Sequence, residues 1–348
     1  MASLANKTIK HQVAMRGQFT RIAKQAAIHL QALKTSVKAE LDEAMTARNW
    51  NAVARLRKTF VTIDRLITDE YELMSETLKR ELGDLFIYES EFTSRLLGFD
   101  FTGSLVTEKL VESIVSNDPF DGKILGEWLD EQKLSTQIKV KQTIRLGVLN
   151  GLSTGKIVDA LYAEPGNPFL GAKRNAEVMV RTASAHVTSQ ASLKTFERVG
   201  FGSYQLSAVL DSRTTPVCRA LDGKIYRVSD RGRKVPPFHP GCRTVMIAVT
   251  EDDPAFTDGY EDWLSKQSAD EQEAILGPAR FRLWKSGQPL ESFVDLDTHH
   301  VIPLGELRSK EVFLNQVCSG LMKPDTHLGE NARHIEVSDD QTTPCFFR

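Results

Sequence analysis

The sequence lacks long hydrophobic runs and is poor in cysteine. No apolar stretch approaches the ~18 residues that a membrane-spanning helix requires, and residues 1–17 contain no apolar core of signal-peptide length. Four widely spaced cysteines in 348 residues argue against a disulfide framework and favour a reducing cytoplasm. A net charge of −2 argues against the whole molecule being a polyanion binder, and a hydrophobic content of 41% suffices for a packed core.

Acidic residues are absent from the first 39 positions, although these contain seven Lys or Arg. Such an asymmetry in a nearly neutral chain predicts an arm that contacts phosphates or an acidic protein surface. The alternative is a solvated helix face. The cationic positions are Lys7, Lys10, Arg16, Arg21, Lys24, Lys34 and Lys38.

Apolar residues recur at helical spacing over most of the first hundred positions. From Val53 to Leu85 they are separated by steps of three, four or sums of these, which indicates an amphipathic helix or a coiled-coil seam. A looser stripe with the same spacing precedes Val53. We therefore predict a long helical hairpin with helices at about 8–47 and 51–97.

The pattern changes at Tyr204, where β-rich segments begin. YQLSAVL, KIYRV and TVMIAV predict three strands of a small antiparallel β-module around 204–249. Before them we predict helices at 105–115 and 170–199, with three short helices within 123–162. Helices resume at Phe256, and Ser268 with Glu271 forms a capping-box pattern.

These patterns predict a mainly α-helical α+β protein made of five segments. We expect a helical hairpin with a basic N-terminal arm at 1–97, a helical middle region at 98–200, the β-module at 201–250, a short helical region at 251–317 and a poorly packed tail at 318–348.

One stretch, from Asp211 to Arg243, concentrates the residues that could carry chemistry. Cys218, His239 and Cys242 could supply three ligands of a tetrahedral metal site, with Asp211 or water as the fourth. The cofactor would be one structural zinc ion. The alternative is that both thiols are small buried apolar groups and His239 is a hydrogen-bonded loop residue. The carboxylates in this stretch look committed to turns, so we assign no catalytic residue.

Several motifs in this part of the chain resemble one family. VLDSRTTPVCRALDGKIY followed by PPFHPGCRT is similar to the signature of the phage minor head proteins, the Mu F-like head morphogenesis family. VRTASAHVTSQASLKTFE, DPFDGKILGEWLDE and QTIRLGVLNGLSTGKIVDAL resemble its upstream regions, so the resemblance runs from about Asn117 to Thr250. Family members often carry Cys-Arg-Cys where this chain has Cys242-Arg243-Thr244, which removes one candidate ligand.

The matching signature residues are expected to have structural roles. They are Asp211, Arg213, Thr214, Asp222, Gly223, Pro240 and Arg243.

The resemblance implies a structural protein of the virion rather than an enzyme. It implies a minor head protein of a tailed phage, present in few copies at the portal vertex inside the capsid, and found in the host cytoplasm during assembly. Its partners would be the portal protein, the major capsid protein or both, with packaged DNA as a further candidate. We expect no membrane and no small-molecule substrate, and we predict a role in head morphogenesis, with DNA packaging or ejection as further roles.

The alternative is a metal-dependent, nuclease-like DNA-processing enzyme. It would use the Cys, His and Asp residues of 211–243, or those of 297–327, where His299 and His300 with Asn315 and His327 form a faint His-Asn-His pattern. The spacing from Asn315 to His327 is long for that pattern, so we expect His299 and His300 to be structural. His186, a lone histidine near an apolar helix face, is expected to be structural as well. No Walker loop, dinucleotide-binding glycine pattern or Ser-His-Asp order supports other enzyme classes.

Overall fold

The computed structural model describes residues 4–46, 51, 53–100, 106–162, 167–250 and 259–307. Contacts divide the chain into two compact units, one made of Met1–Ser207 with Lys224–Phe256 and the other of Ala208–Gly223 with Thr257–Arg348. Within the described ranges, no helix is both long and apolar enough to cross a membrane. The fold is mainly α-helical with a small antiparallel sheet, as the sequence predicts.

The first unit begins with the predicted hairpin. Helix α1 is Leu4–Thr46 and helix α2 is Val53–Leu96, within a few residues of the predicted bounds. The apolar stripe of each helix is buried: Ile22, Leu33 and Val37 on α1 and Ile63, Ile67 and Leu78 on α2 are at most 1% exposed. Burial of these faces against each other explains why two such long helices are stable.

Three polar contacts between side chains fix how α1 and α2 pair. His11 contacts Glu89, Arg21 contacts Glu81 and His29 contacts Glu70, at 2.7, 2.7 and 2.6 Å. As the residue number rises on α1 it falls on α2, so the helices are antiparallel. In each pair the basic residue lies on α1, within the first 39 positions that contain no acid, and the acidic residue lies on α2.

The middle of the first unit contains four further helices. They are α3 (Glu108–Glu112), which continues as a π-helical turn (Ser113–Asn117), then α4 (Leu125–Leu149), α5 (Thr154–Tyr162) and α6 (Pro168–Val199). The prediction of three short helices within 123–162 is wrong, because 125–149 is one helix. Gln132 and Thr136 lie on its buried face, and these polar residues interrupt the apolar period in the sequence.

Helix α6 is the central helix of the first unit. It begins at the cap of Asn167, whose Oδ1 accepts from the amides of Phe169 and Leu170, and it ends at Gly200 in the left-handed conformation. Residues 182–189 are all buried, so no face of this stretch is exposed. Helices α1, α2 and α4 all pack against α6. Small residues such as Ala183 and Ser184 allow this close approach.

All three predicted strands are present. Strands β1 (Ser203–Ser207), β2 (Ile225–Arg227) and β3 (Val245–Val249) form an antiparallel sheet in the order β2-β1-β3. Tyr204 pairs with Tyr226 on one side and with Ala248 on the other. The buried centre of β1, including Tyr204 and Leu206, anchors the sheet.

The second unit combines the stretch after β1 with the C-terminal elements. Its helices are α7 (Pro216–Leu221), α8 (Tyr260–Ser265), α9 (Ala269–Leu276) and α10 (Pro278–Lys285), followed by a 3-10 turn (Leu290–Phe293) and the hairpin of β4 (Val294–Asp295) and β5 (His300–Val301). The predicted capping box is confirmed, since Ser268 Oγ accepts from the amide of Glu271 at 3.3 Å. The five-segment division remains a prediction.

Candidate functional site: the signature segment

The signature segment starts with a turn built on Asp211. Its Oδ1 accepts hydrogen bonds from the amide of Arg213 at 3.0 Å and from Thr214 Oγ1 at 3.2 Å. Thr214 Oγ1 also donates to the carbonyl of Val209. Strand β1 ends at Ser207, so Asp211 and Arg213 lie beyond the strand, in the turn that follows it. The Asp side chain hydrogen-bonds to the following backbone and so favours a turn over a strand.

Asp222 closes the same stretch of the second unit. Its carboxylate accepts from the amides of Ala208 at 2.5 Å and Tyr260 at 2.6 Å. Burial raises the pKa of Asp222, and the two amide hydrogen bonds lower it by less. Gly223 follows with a φ of +79°, which lets the chain reverse direction without strain. Asp222 therefore joins both ends of the 208–223 stretch to the start of α8.

Helix α7 carries the first signature cysteine. Thr215 caps the helix by accepting from the amide of Cys218, and Pro216 occupies its first turn. Cys218 is only 3% exposed. Arg219 donates to the carbonyl of Ile275 at 3.0 Å and so ties α7 to α9.

His239 and Cys242 come together in the loop between β2 and β3 of the first unit, residues 228–244, here called the return loop. His239 Nδ1 lies 2.9 Å from the carbonyl oxygen of Pro240, and the His239 side chain hydrogen-bonds to Cys242. Burial lowers the pKa of His239, but Cys242, the Pro240 carbonyl and the charge of Asp121 together outweigh burial, so the net shift is upward. Gly241 adopts a φ of +71°.

The return loop is tied to the central helix. The amide of Gly241 donates to Thr182 Oγ1 of α6 at 2.9 Å. Arg233, from the polar part of the loop, contacts Glu197 of α6 at 2.6 Å. The loop that carries His239 and Cys242 is therefore held at two points on α6.

The predicted ligands belong to both compact units. His239 and Cys242, a nitrogen and a sulfur donor suited to zinc, lie together in the first unit. Cys218 and Asp211 lie in the second unit, where the Asp211 carboxylate already accepts two hydrogen bonds. Zinc binding by Cys218, His239 and Cys242 stays a prediction.

The cations of the predicted basic arm lie along α1. Arg21 pairs with Glu81 of α2 at 2.7 Å, and Lys34 lies 4.8 Å from the ring centroid of Tyr162. The other five, Lys7, Lys10, Arg16, Lys24 and Lys38, are exposed. A sequence signal for the pairing of α1 with α2 was present: residues 66–96 of α2 contain eight acids. Three of these acids contact α1. Binding of an anionic partner by the arm stays a prediction.

The remaining candidate histidines lie in packed or hairpin positions. His186 is 5% exposed, with Nε2 3.2 Å from Asp118 Oδ2 and its ring 5.6 Å from that of Phe120. His300 pairs with Asp295 in the β4–β5 hairpin. Asp295 Oδ1 accepts from the amides of Asp297 and Thr298, which forms the hairpin turn. Asn315 and His327 lie outside the described residues.

Sequence reasoning missed a groove beside the return loop. It has a volume of about 430 Å³ and lies between α4 and α6 in the first unit. Phe120, Trp128, Met179 and Pro240 are among its walls. Gln132 also lines it, and its Oε1 is buried without a hydrogen-bond partner in the described part of the chain. Contributions from three distant segments explain why no sequence pattern marks the groove.

The return loop and α6 both lie within a segment that matches a family model. Residues 139–247 match the family model described as Phage Mu protein F like protein. The chain carries a Mu F-like segment. No curated protein and no solved structure matches the chain.

The Mu F-like match confirms the resemblance seen in the sequence motifs. It extends from within α4, through α5, α6 and the signature segment, into β3. A Mu F-like segment supports a structural role in the phage head, and hence a place in the virion among other head components.

Proposed function

We propose that this protein is a minor head protein of a tailed phage, held at the portal vertex or on the inner shell. It acts in head morphogenesis and contacts the portal protein, the major capsid protein or both through its helical parts. The observation that carries the proposal is the Mu F-like match over residues 139–247, which spans the central helix α6 and the signature loops.

The internal use of the signature residues supports a structural role. Asp211 and Asp222 accept hydrogen bonds from groups of their own unit, and Arg219 donates to the carbonyl of Ile275. A catalytic carboxylate needs an open position beside the reacting atom. These side chains instead hold loops in place, as expected of a scaffold that presents its surfaces to other head proteins.

The particle itself provides the test of this proposal. We expect the protein in purified heads and in proheads assembled before tail attachment, in a few copies relative to the major capsid protein. An epitope tag can be inserted at Asn51, an exposed turn residue. Immuno-electron microscopy of opened heads should then locate the tagged protein at the portal vertex or on the inner surface. Recovery with tails alone, or heads of normal composition and yield without the protein, would contradict the proposal.

DNA packaging or ejection are roles that the same position would allow. A portal-vertex location places the protein beside the entering or leaving DNA. Particles that lack the protein should then contain less DNA, or should release it more slowly, while the shell keeps its normal dimensions. Full heads with normal ejection kinetics would restrict the role to assembly.

A further inference from the structure

The outer face of α2 carries exposed apolar side chains. Val61, Leu73, Ile87 and Tyr88 are 70%, 57%, 41% and 52% exposed. They lie away from the buried stripe of the same helix, which packs on α1, α4 and α6. Apolar groups spread along about 40 Å of helix at 1.5 Å per residue suggest a long contact line rather than a single anchor.

Charge on this face is segregated along the helix. Residues 53–65 contain four Lys or Arg and one acid, whereas residues 66–96 contain eight acids and three Lys or Arg. Lys58 and Arg65 are exposed and form no ion pair within the described residues. Asp69 and Asp84 are also exposed and are likewise without an ion pair in the described part of the chain. The helix therefore has a basic half and an acidic half on one face.

We propose that α2 of one copy pairs antiparallel with α2 of a second copy across a two-fold axis. The register that places Lys58 opposite Glu91 of the second copy also places Arg65 opposite Asp84. Because helical neighbours recur every three or four residues, the same register sets Asp69 opposite Arg80. Two-fold symmetry makes each of these contacts twice.

The same register also matches the uncharged positions. Val61 falls opposite Tyr88, and Leu73 falls beside the two-fold axis. The acids near the axis do not oppose each other directly: Glu72 faces Thr77, and Glu76 faces Leu73. The contact line from residue 58 to residue 91 is about 50 Å long.

Other occupants fit one half of the face at most. DNA would be attracted to Lys58 and Arg65 but repelled by the acids from Asp69 onward. An acidic protein would meet the same repulsion. Ion pairs within α2 compete little with these contacts between copies, because exposed pairs are weak. Arg80 lies as far as 4.0 Å from Glu81, and the Arg95 that pairs with Glu91 is mostly exposed. Lys58 and Arg65 interact electrostatically with the half-buried Glu40 of α1, but both cations remain exposed to solvent.

Charge exchange tests this pairing on the full chain, without reference to any head protein. The wild type should dimerise in sedimentation equilibrium at low salt, and the dimer should weaken as salt increases. Arg65→Glu and Asp84→Arg each place like charges opposite each other twice, so each should raise the dimer Kd about tenfold or more. Lys139→Glu, an equal charge reversal at an exposed position on α4, should leave the Kd unchanged.

The decisive arm mixes the two variants. Arg65→Glu and Asp84→Arg chains together restore both attractive contacts, so the mixture should dimerise as the wild type does while each variant alone does not. The double variant should also recover. Circular dichroism must show that all variants keep the wild-type helix content. A wild type that stays monomeric up to about 100 µM, or a dimer insensitive to the exchanges, would overturn the proposal.

Discussion

His11 and Glu89 meet in the core of the helical hairpin, with Nε2 of the imidazole 2.7 Å from Oε2 of the carboxylate. Their side chains are only 7% and 2% exposed. The other carboxylate oxygen accepts from Gln12 Nε2 and from Ser192 Oγ, both at 3.1 Å. The His11 ring also stacks on Phe92, with centroids 3.4 Å apart. A single carboxylate therefore joins α1, α2 and α6.

Removal of this carboxylate should destabilise the first unit. Glu89→Ala leaves His11, Gln12 and Ser192 without their acceptor in a buried position, which should cost roughly 3–5 kcal/mol of unfolding free energy. Urea unfolding followed by circular dichroism would measure the loss. Glu76→Ala, at a side chain 77% exposed on the same helix, is the matched control and should change stability by less than about 0.5 kcal/mol. Equal stability of the two variants would refute the role of Glu89.

Replacement of Asp222 should loosen the second unit. Asp222→Ala leaves the amides of Ala208 and Tyr260 unpaired, at about 1–3 kcal/mol for each buried donor. Asp222→Asn keeps one good acceptor and should lose less. Differential scanning calorimetry would rank the three proteins. If Asp222→Ala were as stable as the wild type, the carboxylate would not be the brace between 208–223 and α8.

Tyr162 should contribute to alkaline unfolding. Its hydroxyl donates to the carbonyl of Lys34 at 2.9 Å, and burial raises its pKa from the ordinary 10.0 to about 12. Since the folded pKa lies above the unfolded one, this contribution is complete below pH 10 and is lost as the pH rises to about 12. Tyr162→Phe should therefore flatten the fall of urea stability over that interval.

Two buried tyrosines, Tyr71 and Tyr204, also contribute to the alkaline profile. Burial also raises the pKa values of Tyr71 and Tyr204, so part of the alkaline fall should persist in Tyr162→Phe. At neutral pH the variant should lose about 1 kcal/mol through the missing hydrogen bond. An alkaline profile identical to that of the wild type would contradict the assignment.

The predicted zinc site can be tested by metal analysis of untagged protein. If Cys218, His239 and Cys242 hold zinc, the protein should contain about one zinc per chain and should lose thermal stability with a chelator. X-ray absorption should then give sulfur–metal distances near ~2.3 Å and nitrogen–metal distances near ~2.0–2.1 Å. Cys242→Ser should lose the metal. Less than about a tenth of a zinc per chain, with chelator-independent stability, would leave Cys218 and Cys242 as buried thiols.

The basic arm should bind DNA weakly and without sequence preference. Each phosphate contact contributes roughly −0.9 to the salt slope of binding, so Lys7→Gln, Lys10→Gln and Lys24→Gln together should reduce its magnitude by up to about 2.7. These exposed positions leave the buried face of α1 intact, whereas deletion of the arm would remove core residues such as Ile22. DNA binding that is unchanged in the triple variant, or that persists at high salt, would refute the prediction.

The sequence predicts the hairpin and the sheet well because their patterns are local. An unbroken apolar stripe defines α2, and the alternation around Tyr204 defines β1. Helix α4 was mispredicted because its buried face includes Gln132 and Thr136. A polar residue that packs on a helix core contributes no apolar signal, so only tertiary contacts reveal its position.

The candidate site was predictable where its residues are neighbours in sequence. His239 and Cys242 meet because a tight turn joins them, with the amide of Cys242 donating to the carbonyl of His239 at 3.1 Å. Asp222, in contrast, accepts from the amide of Tyr260, 38 positions along the chain. A backbone amide carries no residue-type signal, so no spacing rule could find this contact.

Because residues 182–189 are completely buried, the segment that matches the family cannot be separated from the rest of the protein without exposing them. Helix α6 lies inside the family match, but α1 and α2, which cover much of it, end before the match begins. A fragment of residues 139–247 would expose those faces of α6 to water and should aggregate or remain partly unfolded. The similarity to Mu F is therefore a similarity of one part of a cooperative structure, and it cannot be grafted onto another protein unless the hairpin is transferred with it.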